Sequence, residues 1–156
     1  MIKINYPDSK PAIQQDKGRE KIFCIIRKTW LVLTPEEWVR QNFLLYLTEV
    51  LNYPPALIAV EKQVMVGSLK KRFDIVVYSN DIFPQMVIEC KSMNETLTLQ
   101  VLNQVLRYNQ RLQAPVFVIT NGKNCFAFER KNEKFTALKN YFQQRQKNSP
   151  ICMRHF

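Results

Sequence analysis

Along the chain the spacing of hydrophobic and polar positions changes several times, and each change marks an element. Residues 1–19 are polar and Pro-containing and read as a loose arm. Residues 21–26 (KIFCII) have strand composition, and a second apolar stretch follows at 30–33. Thr34-Pro35-Glu36-Glu37 is a helix start, with Thr as N-cap, Pro at the first helical position and Glu37 completing a capping box. Trp38, Phe43, Leu44, Leu47 and Leu51 then recur at helical spacing and predict a helix over roughly 34–51, which Asn52-Tyr53-Pro54-Pro55 ends. Three strand-like segments come next at 57–66, 72–78 and 85–91, divided by Gly67-Ser68 and by 79–84, the pattern of an antiparallel meander. A second helix is predicted at 97–112, a strand over VFVIT ending at Asn121-Gly122, a further strand at 124–130 and a polar helix at 133–147. The fold class is α/β (α+β), a mixed sheet flanked by helices with core order αβββαβ.

Composition narrows the picture. A chain of 156 residues with 46% hydrophobic content buries a real core and forms one domain, expected at 20–130 between the arm and a basic tail at 131–156. No run approaches the ~18 apolar residues of a membrane span, and the first residues lack the apolar stretch of a secretory leader. Cys24, Cys90, Cys125 and Cys152 are far apart, and His155 stands alone near the C-terminal end, which argues against a zinc site and a disulfide scaffold. The expected setting is cytoplasmic, with no membrane partner. Three glycines leave no phosphate-cradling loop and hence no ATP site.

The net charge is +10, and it is unevenly spread. Residues 1–28 carry +4 and residues 130–156 carry +6, while the stretch between them is neutral. Basic flanks suit a polyanion such as DNA or RNA, whose counterions they release. They equally suit solvated ends that keep a chain in solution.

The chemistry concentrates at 72–91. Glu89 and Lys91 are two apart on a strand and share a face, while Cys90 points the other way into the core. With the hairpin turn centred near residues 81 and 82, Asp74 falls opposite Glu89. Two carboxylates about 5 Å apart across a ladder repel. A shared proton, another register or a bridging hard cation resolves the conflict, and Mg²⁺ takes one or two carboxylates plus waters and phosphate oxygens. A surface salt bridge at strand ends is the ordinary alternative.

Asp74 followed by Glu89-Cys90-Lys91 resembles the D…ExK signature of the PD-(D/E)XK nuclease superfamily. Together TPEEWVRQ (34–41), KRFDIVVY (71–78), VIECK (87–91), QVLRYN (104–109) and TNG (120–122) resemble the N-terminal nuclease domain of type I restriction enzyme R subunits. The resemblance is nearest to proteins consisting of that domain alone. It implies a restriction-endonuclease-like fold and a metal-dependent nuclease, a deoxyribonuclease in restriction, defence or repair, with RNA left open. Asp74 and Glu89 match its metal-binding carboxylates, Lys91 its catalytic lysine, and Glu37 the helix glutamate aimed at the metal, with Glu36 as competitor. Gln104 and Tyr108 match an element supporting the site or touching DNA. Gln100, Gln104, Arg107 and Arg111 share one stripe of the second helix, which reads as a phosphate track or as a solvated edge. Phe73 stands where the superfamily name has Pro. The implied cofactor is Mg²⁺, with Mn²⁺ able to substitute. The implied partners are nucleic acid and either a second copy or a separate specificity or motor subunit. The competing reading is a non-catalytic nucleic-acid-binding module or accessory subunit that keeps the fold.

Overall fold

A computed structural model describes residues 1–66, 68–108, 114–132 and 134–143, and for Val64, Met65, Val66, Leu69, Lys71, Gln104, Val105, Arg107 and Tyr108 only the backbone. A small antiparallel sheet comes first, from β1 (Ile13–Asp16), β2 (Arg19–Cys24) and β3 (Thr29–Val32). Helix α1 (Pro35–Leu45) follows and runs on as a π-helical segment over Tyr46–Val50. Strands β4 (Ile58–Val66), β5 (Leu69–Tyr78) and β6 (Pro84–Cys90) form the meander. Helix α2 (Leu99–Tyr108) then carries the chain to β7 (Val116–Thr120), β8 (Cys125–Lys131) and β9 (Lys134–Leu138). The main sheet has the order β4-β5-β6-β7-β8-β9, parallel at β6–β7 and antiparallel elsewhere. From α1 to β7 the order is αβββαβ, as the spacing predicts.

The start of α1 is set by its sequence. Thr34 Oγ1 accepts from the Glu37 amide at 3.0 Å and Pro35 occupies the first turn, so two of the free helix-end donors are absorbed or absent. Only half of the capping box forms, because the Glu37 carboxylate turns to Arg40 and Gln41. The apolar face of α1 lies on one side of the sheet. There Val39, Phe43, Leu44 and Leu47 pack with Ile75, Val77, Met86, Ile88 and Cys90. The Phe43, Tyr46 and Phe142 rings meet at 5.7–6.0 Å in the same core. Each such fully buried side chain contributes roughly 1.5–3 kcal/mol relative to exposure. On the other side Phe73, Val76, Val87, Phe117 and Ile119 pack with Leu97 and Leu102.

Two expectations are corrected. The N-terminal segment is not loose along its length. Ile2 is buried and bridges Cys125, Tyr6 meets the Tyr46 ring edge-on at 5.9 Å, Ser9 donates to Glu49 at 2.5 Å, and residues 13–16 are β1. Apolar anchors spaced among polar residues hold it, and composition alone hides them. The polar helix expected at 133–147 is, over 134–138, strand β9 paired with β8. Asn132, at φ +48°, turns the chain, and the half-buried Phe135 and Leu138 each reach a core cluster, which a pairing strand allows. Residues 144–147 of that expected helix lie outside the described residues, as do 109–112 of the second helix.

Candidate active site

The β5–β6 ladder pairs Ile75 with Ile88, Val76 with Val87 and Val77 with Met86, the register that sets Asp74 toward Glu89. Phe73, on the other side of Asp74, pairs with Lys62 of β4. Asp74 makes no ladder pair with Glu89. Instead its Oδ2 accepts from the Cys90 amide at 2.7 Å, and its Oδ1 accepts from Arg40 Nη2 at 2.9 Å. Asp74 thus binds the peptide that Glu89 and Lys91 bracket, and the expected cross-strand repulsion is replaced by two hydrogen bonds, one charge-assisted.

Arg40 is the hub of this region. It is 5% exposed, with Nη1 at 2.5 Å from Glu37 Oε2 and 3.8 Å from Glu61 Oε1, and Nη2 at 3.1 Å from Glu36 Oε1. Burial alone works against its charge, but Asp74 and Glu37, with a smaller share from Glu61, hold its pKa above the ordinary arginine value. Glu37 is buried as well and also accepts from Gln41 Nε2 at 2.7 Å. Glu36 is the more exposed of the pair. Partial burial and the Asp74 charge raise its pKa, while Arg40 and Lys91 pull it down. Glu36, the competitor, thus feels the charges of both Asp74 and Lys91, while Glu37 binds Arg40 and Gln41.

Glu89 is half-buried. Strand alternation places it in the row of Val87 and of Ile119, its parallel neighbour on β7. Lys91 follows the strand end, and its amide donates to the Thr120 carbonyl at 2.8 Å. Cys90 is fully buried beneath the site. Desolvation, with the nearby Asp74 charge, pushes its thiol well up, so it is no nucleophile. Gln100 is exposed in the first turn of α2. The side chains of Gln104, Arg107 and Tyr108, and the whole of Arg111, lie outside the described residues. Among the described residues no three of His, Cys, Asp and Glu are gathered so as to hold a metal, so the set Asp74, Glu89 and Glu37 is not assembled as expected. The reason is local, since Glu37 turns to partners one helical turn along its own helix.

Residues 35–141 match the family described as type I restriction enzyme R protein N terminus. The chain belongs to that family. One solved structure that resembles it is a fragment assigned to an HsdR subunit of a type I restriction enzyme from Vibrio vulnificus YJ016. The identity is 20% and the TM-score 0.40, over 58% of this chain and 21% of that one, so the chain spans about a fifth of that protein's length. No curated protein matches the chain. The fold of this R-subunit N-terminal domain is mixed α+β, a six-stranded mixed sheet with few helices. None of its described helices is long and apolar enough to cross a membrane.

Sequence reading missed two supports of this R-subunit domain and, for a third, placed the turn without its bonds. Arg40 is one, and its signal is its place three and four residues after Glu37 and Glu36 on one helix face. Gln41, 1% exposed, is the second. The third is the turn after β7. Thr120 Oγ1 accepts from the Gly122 amide at 3.1 Å and donates to the Asn124 carbonyl at 3.0 Å, and Asn121 Nδ2 donates to the Glu95 carbonyl at 2.8 Å. TNG, which the sequence offers as a turn and as a fragment of resemblance, thus ties down both the Lys91 backbone and the loop behind it.

Proposed function

We propose that this chain is a metal-dependent nuclease domain acting on DNA, with Asp74, Glu89 and Lys91 as its working residues. The observation that carries the reading is the charge balance around Arg40. Asp74, Glu36 and Glu37 share one guanidinium, so the spot remains acidic and favours further positive charge. Carboxylate oxygens are the donors a hard divalent ion prefers, and one or two of them with waters and phosphate oxygens suffice for Mg²⁺ or Mn²⁺, so the donor chemistry fits although no three such groups are gathered among the described residues. Asp74 and Glu89 would hold the ion, with Glu36 or Glu37 close by. When bound, such an ion supplies an acidified water and polarises a phosphate oxygen. Lys91, its backbone fixed by Thr120, would meet the charge that develops on the phosphate or orient the attacking water. The basic flanks would neutralise the backbone of the polymer, and the stripe of Gln100, Gln104, Arg107 and Arg111 would line its path. Membership in an R-subunit family makes specificity and motor subunits the natural partners.

The second reading is a module that binds nucleic acid without cutting it, and the ion pair between Asp74 and Arg40 favours it. One experiment separates the two. Purified protein is incubated with plasmid, single-stranded DNA and RNA in Mg²⁺, Mn²⁺ or EDTA, alongside Glu89→Ala. Cutting of DNA that needs the metal and disappears in the variant supports the nuclease. Salt-sensitive binding that persists in EDTA without cutting supports the module.

A further inference from the structure

We propose that Arg40 is the resident counter-cation of this site, holding Asp74 to the helix glutamates until a divalent ion displaces it. The inference rests on the metal-dependent reading above and adds what controls metal entry. Asp74 has two oxygens, and each already accepts one bond, Oδ2 from the Cys90 amide and Oδ1 from Arg40, whose positive charge repels a second cation. The amide is part of the main chain at the end of β6 and cannot withdraw without disturbing the sheet. A cation arriving at Asp74 therefore competes with the guanidinium. Arg40 is suited to giving way. Its two terminal nitrogens face acids, while its buried Nε has no hydrogen-bond partner, so the group is held from its tip. Glu61, 3.8 Å from Nη1 and already paired with Arg27 and Arg72, is a further acid within a small swing. A buried arginine surrounded by acids keeps those acids from repelling one another, and its removal leaves them uncompensated. A divalent ion would then restore the balance it removed.

The consequence is specific. A merely structural Arg40 would lower stability equally with and without metal on removal, whereas a counter-cation would make stability depend more steeply on metal. The test uses the full chain with Mn²⁺ alone as probe, read by thermal unfolding and by titration calorimetry, in wild type, Arg40→Gln, Arg40→Lys and Asp74→Asn. In EDTA Arg40→Gln melts below wild type. Added Mn²⁺ raises its melting temperature more than that of wild type, and it binds Mn²⁺ about tenfold more tightly, the factor one lost competing contact is worth. Arg40→Lys keeps a charge without the fork and falls between the two, and it serves as the test should Arg40→Gln not fold. Mn²⁺ binding that is lost in Asp74→Asn but unchanged or weaker in both Arg40 variants overturns this inference and leaves the metal site standing. Mn²⁺ binding that is absent from wild type and from both Arg40 variants, or unchanged in Asp74→Asn, overturns the metal site and this inference with it.

Discussion

Replacing Asp74 in two ways separates its two bonds. Asp74→Asn keeps an oxygen for the Cys90 amide and removes the charge that Arg40 binds. Asp74→Ala removes both. The lost charge-assisted contact to Arg40, 2.9 Å in the native arrangement, costs about 1.5–3 kcal/mol in either variant. Alanine also leaves the Cys90 amide, bonded at 2.7 Å and at a fully buried residue, without an acceptor, a further cost of about 1–3 kcal/mol. For a chain of this size each kcal/mol moves the melting temperature by about 2–4 °C, so the alanine variant should melt clearly below the asparagine one. Urea unfolding in EDTA measures the gap, with an unchanged slope showing that the unfolded states are comparable. Hydrogen exchange at the Cys90 amide localises it, being fast in Asp74→Ala and slow in Asp74→Asn. Equal stability together with equal exchange would refute the placement of Asp74 against the end of β6.

Three further outcomes follow from the same geometry. Gly122→Ala should lose about 1–2 kcal/mol or more by urea unfolding, because φ is +85° and the new Cβ would lie 3.2 Å from Val39 Cγ2. The pKa of Glu36 is raised in the fold, by burial first and by Asp74 second, so its ionised form opposes folding and its contribution is lost as pH rises through the folded pKa. Glu36→Gln should therefore melt above wild type at pH 7, with the advantage vanishing below about pH 4, where both side chains are neutral. Burial raises the Cys90 thiol well up and the Cys125 thiol to about 12. Both should resist iodoacetamide in the native protein and react once it is unfolded, as peptide mass spectrometry reads directly.

The order of the core was legible because its signals are local. Thr34 and Pro35 mark a helix start wherever the helix later packs, and the alternation along β6 survives in the paired register, while in β5 Phe73 and Ile75, two apart, lie in the cores on opposite sides of the sheet. The ends of the chain were not legible, because what orders them is distant. Ile2 is held by Cys125, and Phe135 and Leu138 by the two cores, none of which a window around those residues contains. At the site, D…ExK singles out Asp74, Glu89 and Lys91 as candidates but does not say which acids face one another. That depends on Arg40, an ordinary helix arginine by composition whose importance appears only when Asp74, 34 positions away, is brought against it. Glu36 and Glu37 show the same limit. They are neighbours in sequence that share Arg40, yet the turn of a helix buries Glu37, which also binds Gln41, and leaves Glu36 nearer solvent.

The position of Mn²⁺ in crystals of the full chain, located by its anomalous scattering, bears most directly on the proposed nuclease site. The account predicts one strong peak against Asp74 beside Glu89, with the Arg40 guanidinium drawn off Oδ1. A peak elsewhere, or a protein saturated with Mn²⁺ whose Asp74 still holds Arg40, would contradict it.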